Sequence, residues 1–258
     1  MFWSTPKCPV EAEDKLWLEQ SMEWLLEEFG SNTFRDVTVV LPTDEFFPDE
    51  YAADEDDARS LVERICGYMS VNPGLIEVEF FQNDTDEFQR ATWYLESSSN
   101  GAAAGHYKKR RDKFVVSLDT SQLTDPMCLV ATVAHELGHV RLLGQGRVHG
   151  GYEDHEPMTD LLTVFFGLGV FTANSAFTLD ASSQGWRAQT RGYLNEEMFG
   201  YALALFALMR GEHNPSWSRY LEGSVSTFFK NGRKYLEKTG DGSSLRQLAL
   251  QQLQGDQL

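Results

Sequence analysis

Two histidines and a glutamate stand inside a strongly apolar segment of this 258-residue chain. His135, Glu136 and His139 form the pattern HExxH, and most of the residues around them, from Leu129 to Leu143, are apolar. On an α-helix, residues four positions apart lie one turn apart on the same face, so both imidazoles can bind one metal ion. Glu136 is turned by about 100° from His135. It therefore lies beside the ion, where it can accept a proton from a water molecule that the ion holds.

The alternative interpretation is a pair of core histidines that hydrogen bond to each other or to the backbone. A chance HExxH is expected in about one chain in a hundred of this length. Buried imidazoles are costly without a partner, and Gly138 keeps the helix narrow beside the site, where a substrate backbone or another helix can approach. The sequence therefore favours a site for one zinc ion, Zn²⁺.

A zinc site of this kind needs a third protein ligand and an open fourth position. The nearest stretch that is rich in ligand-forming side chains is YEDHEPMTD, residues 152–160. Its candidate ligands are Asp154, His155, Glu156 and Asp160. The alternative interpretation of this stretch is an acidic helix N-terminus, which the helix dipole stabilises.

HExxH followed by EPMTD resembles the zincin-type metallopeptidases, and among them the gluzincins, in which a downstream glutamate, often within ExxxD, completes the site. The resemblance implies that Glu156 is the third ligand and that Asp160 accepts a hydrogen bond from a ligand histidine, which selects its tautomer. Pro157 is compatible only if Glu156 lies in or just before the first turn of its helix. The metzincin pattern HExxHxxGxxH does not match, because Leu142 and Gln145 replace its glycine and its third histidine. The chain also resembles an uncharacterised bacterial family of HExxH proteins.

The resemblance implies a zinc metallopeptidase, a hydrolase, that cleaves peptide bonds. In that reaction zinc lowers the pKa of its bound water, and Glu136 takes the proton and later passes it to the leaving amine. Endopeptidase action is favoured, because the GxMxN signature of zinc aminopeptidases is absent. A further donor usually stabilises the oxyanion; the candidates, each of which ordinary packing also explains, are His149, Tyr152, Tyr193 and Tyr201.

Two other functions remain open at the level of the sequence. The chain could be a catalytically inert zinc-binding scaffold or partner-binding module that keeps the metal for structure or sensing. It could also be an intracellular toxin or a defence effector protease. In the enzymatic interpretations the partner is a peptide or protein substrate.

Hydrophobic periodicity predicts the elements that must position these side chains. Helices are predicted over 11–29, 55–69, 126–143, from 154–157 through 171, and 195–210, with an amphipathic helical tail after 215. Strands are predicted over 37–41, 75–81, 91–96 and, as one strand or two, 106–118. Asp125 is the expected N-cap of the HExxH helix, Pro126 its first residue and Gly144 its stop.

These elements predict an α+β, zincin-like fold in a single domain, 1–258. An α/β N-terminal lobe, 1–123, carries a mixed sheet with antiparallel pairing and its helices. A mainly helical lobe, 124–258, carries the metal site, with HExxH on the central helix.

Composition narrows the classes of partner. The chain has 22 Lys and Arg against 39 Asp and Glu, a formal net charge of −17. Nucleic acids and anionic membranes require a large basic face, and only KKRRDK at 108–113 supplies a small one.

Three cysteines without a CxxC motif fit a reducing compartment, there is no signal-peptide pattern, and the longest apolar run, 161–171, is too short to span a bilayer. We therefore predict a cytoplasmic protein without nucleic-acid or membrane partners; its oligomeric state is left open.

Overall fold

The computed structural model describes residues 6–82, 108–110, 112–149, 151–182 and 194–251. The predicted strand at 91–96 and the candidate donor Tyr193 lie outside these ranges.

Three helices precede the sheet: α1 (Ala12–Phe29), α2 (Ser31–Asp36) and α3 (Glu55–Tyr68). The predicted helices at 11–29 and 55–69 are thereby confirmed. Helix α3 has a strong start, because the Asp54 carboxylate accepts hydrogen bonds from the backbone N–H groups of Asp56 and Asp57. These bonds satisfy two donors that have no partner inside the helix.

The segment 37–41 was predicted as a strand, and this prediction is wrong. The segment belongs to no sheet of the described residues; instead, the Val40 N–H donates to the carbonyl of Gly167 over 2.9 Å. The Val40 side chain is fully buried. The apolar run thus reflects burial of a single irregular segment against helices, which hydrophobicity alone does not distinguish from burial in a sheet.

A small mixed sheet is built from β1 (Ile76–Phe81), β2 (Lys108–Arg110) and β3 (Lys113–Asp119), in the order β1-β3-β2. The prediction of strands at 75–81 and within 106–118 is confirmed, with the latter region divided into two strands. Strand β2 pairs antiparallel to β3, as expected, but β1 runs parallel to β3. The parallel pairing is possible because more than a dozen residues connect the two strands.

The second half of the described chain is helical: α4 (Pro126–His139), a π-helical turn (Val140–Gly144), α5 (His155–Phe165), α6 (Gly169–Ser182), α7 (Glu196–Met209), α8 (Gly223–Thr239) and α9 (Ser243–Gln251). Helices predicted at 126–143, 195–210 and after 215 are confirmed. The prediction of a single helix that continues through residue 171 is wrong, because α5 ends at Phe165 and α6 begins at Gly169. At the break, Gly167 has φ of +79°, and a Cβ at this position would lie 2.3 Å from the carbonyl oxygen of Thr38. Only glycine fits this turn.

Helix α4, which carries HExxH, lies in the middle of the packing. The Asp125 side chain caps it by accepting from the Cys128 N–H over 3.1 Å, and Pro126 is its first residue. The helix contacts α3, α5, α6 and β3. Buried side chains from both halves of the chain, from Val10 to Ala249, form one continuous core.

The architecture is a mixture of helices and a small sheet, which agrees with the predicted α+β class. No helix in the described part of the chain combines the length and the apolar character needed to cross a lipid bilayer.

Candidate metal centre

Helices α4 and α5 bring three potential metal ligands together in the core. His135 and His139 lie one turn apart on α4, and Glu156 lies in the first turn of α5. The Glu156 Oε2 atom is 3.1 Å from His135 Nε2 and 3.4 Å from His139 Nε2. One ligand atom from each residue lies within 4.8 Å of the other two, so the group is close enough to hold a metal ion.

These separations suit a small tetrahedral ion. A zinc site with bonds of about 2.1 Å to nitrogen and oxygen has neighbouring ligand atoms about 3.4 Å apart. The two nitrogen–oxygen distances to Glu156, 3.1 and 3.4 Å, lie close to that value. His135, Glu156 and His139 are 3%, 3% and 5% exposed, so the protein and not the solvent determines their arrangement.

The outer nitrogen of each imidazole has a partner that selects its tautomer. His135 Nδ1 donates to Asp160 Oδ1 over 2.8 Å. His139 Nδ1 lies 3.3 Å from Thr159 Oγ1, whose own proton is donated to the carbonyl of His155 over 2.7 Å. The threonine oxygen must therefore accept from His139. Both histidines carry a proton on Nδ1, and both Nε2 atoms point toward the carboxylate of Glu156.

This arrangement requires positive charge between the two helices. An Nε2 lone pair and a carboxylate oxygen repel each other at 3.1 to 3.4 Å unless a cation, either a proton or a metal ion, lies between them. Asp160 adds a second buried carboxylate, which accepts from His135 and from the Leu194 N–H. In the described part of the chain no lysine or arginine forms an ion pair with Glu156 or Asp160. A divalent cation would balance the two carboxylates, so the donor set fits such an ion.

The perturbed pKa values have the same cause. Burial alone lowers the pKa of His135, but the hydrogen bonds and charges of Asp160 and Glu156 outweigh burial and raise that pKa well above its ordinary value. Burial alone raises the pKa of Glu156, but hydrogen bonds from His135 and His139 outweigh burial and hold that pKa far below its ordinary range. Strong opposite pKa shifts within one buried cluster occur at functional sites and also in structural ion-pair networks.

The two helices approach closely because α4 has a glycine at the crossing. A Cβ on Gly138 would lie 2.7 Å from Thr159 Cγ2. The sequence left open whether Gly138 admits a substrate backbone or another helix, and this contact supports the approach of another helix. Pro157 is tolerated because it follows Glu156 within the first turn of α5, where its missing N–H has no helical partner to lose.

Glu136 differs from the three clustered residues. Its side chain is half-buried, and no hydrogen bond or ion pair engages its carboxylate within the ranges that the structure describes. It is thus a carboxylate next in sequence to the buried His135, with no hydrogen bond or ion pair among the described residues. A carboxylate without such partners is available to accept a proton.

The rival ligands lie near the cluster but outside it. Asp154 Oδ2 accepts from the Trp17 indole over 3.1 Å. His155 is closer: its Nδ1 lies 3.4 Å from Glu156 Oε1, and its ring centroid lies 6.0 Å from that of His139. Burial lowers the pKa of His155, although the charge of Glu156 opposes the shift. His155 Nδ1 is buried without a hydrogen-bond partner among the described residues.

Three of the candidate oxyanion donors lie among the described residues: His149, Tyr152 and Tyr201. His149 Nδ1 accepts from the Gly151 N–H over 3.1 Å in an exposed loop, and Tyr152 is 39% exposed. Tyr201 is fully buried, and its hydroxyl donates to Glu19 of α1 over 2.8 Å. That bond uses the only proton of the Tyr201 hydroxyl, so its contacts do not support the donor role.

Sequence reasoning missed two contributors to the site. Thr159 supports His139, and the backbone N–H of Leu194 supports Asp160. Thr159 could have been found, because it lies three residues after Glu156 and therefore on the same face of the helix. The Leu194 contact has no signal in the sequence.

Comparison with known proteins identifies no relative: no family model matches the chain, and neither the curated proteins nor the solved structures contain a match. The resemblance to zincin-type metallopeptidases therefore stays a hypothesis that rests on the motif and on the geometry of the site.

Proposed function

We propose that the chain is a zinc-dependent metallopeptidase of zincin-like design, with His135, His139 and Glu156 as the ligands of one Zn²⁺ ion. The observation that carries the proposal is the convergence of three buried ligand atoms within 4.8 Å, with both nitrogen–oxygen separations close to those of a tetrahedral site. The partnered outer nitrogens of both histidines support it, since ligand histidines almost always donate their second N–H to a carboxylate, carbonyl or water.

In this proposal each of the remaining polar residues has a defined task. Bound zinc supplies a Lewis acid and lowers the pKa of a water molecule. The Glu136 carboxylate accepts a proton and returns it to the leaving amine, a task that requires it to be free of competing hydrogen bonds and ion pairs. Asp160 and Thr159 hold the two imidazoles in the tautomer that presents Nε2. The substrate class, a peptide or a protein with endopeptidase cleavage, is part of the same proposal.

The test compares Glu136→Gln with the matched control Glu153→Gln. Glu153 is exposed and lies just before α5, so this substitution changes the same charge outside the site. Purified without chelator, the wild type is expected to contain one zinc per chain by elemental analysis and to cleave an unfolded protein such as casein. Glu136→Gln should keep the zinc and lose at least 100-fold in cleavage rate, and Glu153→Gln should change neither.

Two results would reject parts of the proposal. A wild type that contains no zinc and does not take it up in titration removes the whole proposal. Zinc binding with full activity of Glu136→Gln leaves the metal site intact but removes the catalytic assignment.

A second function, a metal-stabilised module without peptidase activity, is favoured by one observation. The three ligands are nearly inaccessible, and structural zinc sites are closed whereas catalytic sites keep a position open to substrate. In that case the wild type binds zinc, cleaves nothing, and is unchanged by Glu136→Gln, while removal of the ion destabilises the fold.

A further inference from the structure

A second concave site lies on the other side of α4. An open cavity of about 360 Å³ is lined by the segment 42–51, one face of α3, the N-terminal part of α4 and Phe171 of α6. We propose that this cavity binds an organic cation, an ammonium or guanidinium group carried on an apolar body.

The cavity is separate from the candidate metal centre. On α4 its wall is formed by Pro126, Met127 and Val130, and neither histidine of the HExxH motif lines it. His135 follows Val130 by five residues, which on a helix is a rotation of about 140° and a rise of about 7.5 Å. A ligand in the cavity would therefore lie on a different face of α4 from a metal ion at His135 and His139.

The floor of the cavity is apolar. It is formed by Phe47, Leu61, Val130 and Phe171, and the rings of Phe47 and Phe171 pack edge to face with centroids 5.6 Å apart. Small-molecule sites are typically concave, largely apolar, and at least about 300 Å³ in volume. The floor thus offers an apolar body a place out of water.

The rim of the cavity is acidic. Asp44, Glu50 and Asp57 line it, as does Asp49, which is paired with Arg64. Asp57 accepts from the Ala52 N–H over 2.5 Å. The carboxylates of Asp44 and Glu50 are exposed and make no hydrogen bond or ion pair to any residue that the structure describes. Once Asp49 is neutralised by Arg64, three negative charges remain around one opening.

Charge and shape together select the ligand class. Carboxylates around a cleft with apolar walls repel anions and concentrate cations. A small hydrated metal cation would gain nothing from the aromatic floor, whereas an ammonium or guanidinium on an apolar body would use both parts. The Arg64–Asp49 pair in the wall is an internal example of a guanidinium held by this rim. Two kinds of molecule carry such a cation: a free amine, and a peptide with a basic side chain.

The experiment uses ligand-observed NMR titration of the full chain with 2-phenylethylammonium and its uncharged analogue 2-phenylethanol. The ammonium is expected to bind at least tenfold more tightly than the alcohol, and its Kd should rise with ionic strength. A parallel titration with acetyl-Phe-Lys-amide distinguishes a free amine from a basic peptide as the ligand. Tighter binding of the peptide than of the amine points to a basic segment, and the reverse to a free amine.

Three variants locate the binding. Asp44→Asn with Glu50→Gln should weaken binding of the ammonium about tenfold. Glu23→Gln with Glu27→Gln, two exposed positions on α1, makes the same change in net charge away from the cavity and should leave the Kd unchanged. Ser60→Leu, at an exposed position of α3 that lines the cavity, should remove binding by filling it while α3 stays folded.

Equal binding of amine and alcohol, or equal loss in the two double variants, would overturn the proposal. The titration is repeated with Glu136→Gln and with chelator-treated protein, and the Kd should be unchanged in both. The cavity proposal and the zinc proposal can therefore fail independently.

Discussion

At the scale of single residues, the site depends on the partners of its histidines as much as on the histidines themselves. Asp160 accepts hydrogen bonds at both carboxylate oxygens, one from His135 and one from the Leu194 N–H. The carboxylate therefore links His135 of α4 to the chain just before α7. Its position is fixed from both sides.

The substitution Asp160→Asn keeps the shape and removes the charge. An amide nitrogen facing His135 Nδ1 would favour the wrong tautomer, so we expect the Kd for zinc to rise about 10- to 100-fold. Competition with a chromophoric chelator measures this change. Asp154→Asn is the control, because Asp154 accepts from Trp17 and forms no hydrogen bond or ion pair with His135 or His139 in the described part of the chain. Equal affinities of wild type and Asp160→Asn would contradict the positioning role.

At the scale of secondary-structure elements, the crossing of α4 and α5 sets the distance between the two histidines on α4 and Glu156 on α5. Gly138 allows Thr159 to approach, and Thr159 in turn supports His139. A side chain at Gly138 would push the helix of Glu156 away from the helix of the histidines.

We therefore expect Gly138→Ala to lower the free energy of unfolding by about 1–3 kcal/mol through overpacking and to weaken zinc binding. Thr159→Ser removes the methyl group that the new Cβ would meet and keeps the hydroxyl. The double variant should therefore regain part of both losses, which denaturant unfolding and zinc titration measure. Additive effects of the two substitutions would show that the clash is not the cause.

A second contact between elements joins α7 to α1. The buried Tyr201 hydroxyl donates to Glu19, and burial raises the pKa of Tyr201 far above its ordinary value. Tyr201→Phe should lower the free energy of unfolding by about 1 kcal/mol and leave zinc affinity and cleavage unchanged. Tyr152→Phe, at an exposed position, should change stability by less than about 0.5 kcal/mol. A large loss of cleavage in Tyr201→Phe would restore its assignment as an oxyanion donor.

At the scale of the whole molecule, the proposed ion couples to folding. A cation held between α4 and α5 binds the native state and not the unfolded chain, in which these helices are apart. Free zinc at 100 times its Kd is then expected to add about 2.7 kcal/mol to the free energy of unfolding. For a chain of this size that increment raises the Tm by about 5–10 °C.

Thermal unfolding with zinc and with chelator measures the increment. His139→Ala should abolish the difference between the two conditions. His213→Ala, at an exposed position between α7 and α8, should keep it. An identical Tm in zinc and in chelator for the wild type would mean that the three residues form a hydrogen-bonded core cluster and not a metal site.

The sequence by itself determined the local features of this protein: its helices, their caps and the shared face of the two histidines. The period of its apolar residues set the helices, Asp54 and Asp125 capped two of them, and the spacing of His135 and His139 placed both on one face. Each of these relations joins residues a few positions apart, so helix geometry alone decides them.

Relations between distant segments were decided only by the tertiary structure. The contact of Asp160 with Leu194, the bond of Tyr201 to Glu19 and the parallel pairing of β1 with β3 are of this kind. So are the break at Gly167 and the cavity on the far face of α4, because each depends on what a remote segment places against it. Local propensity carries no information about such neighbours; burial of one shared core brings them together.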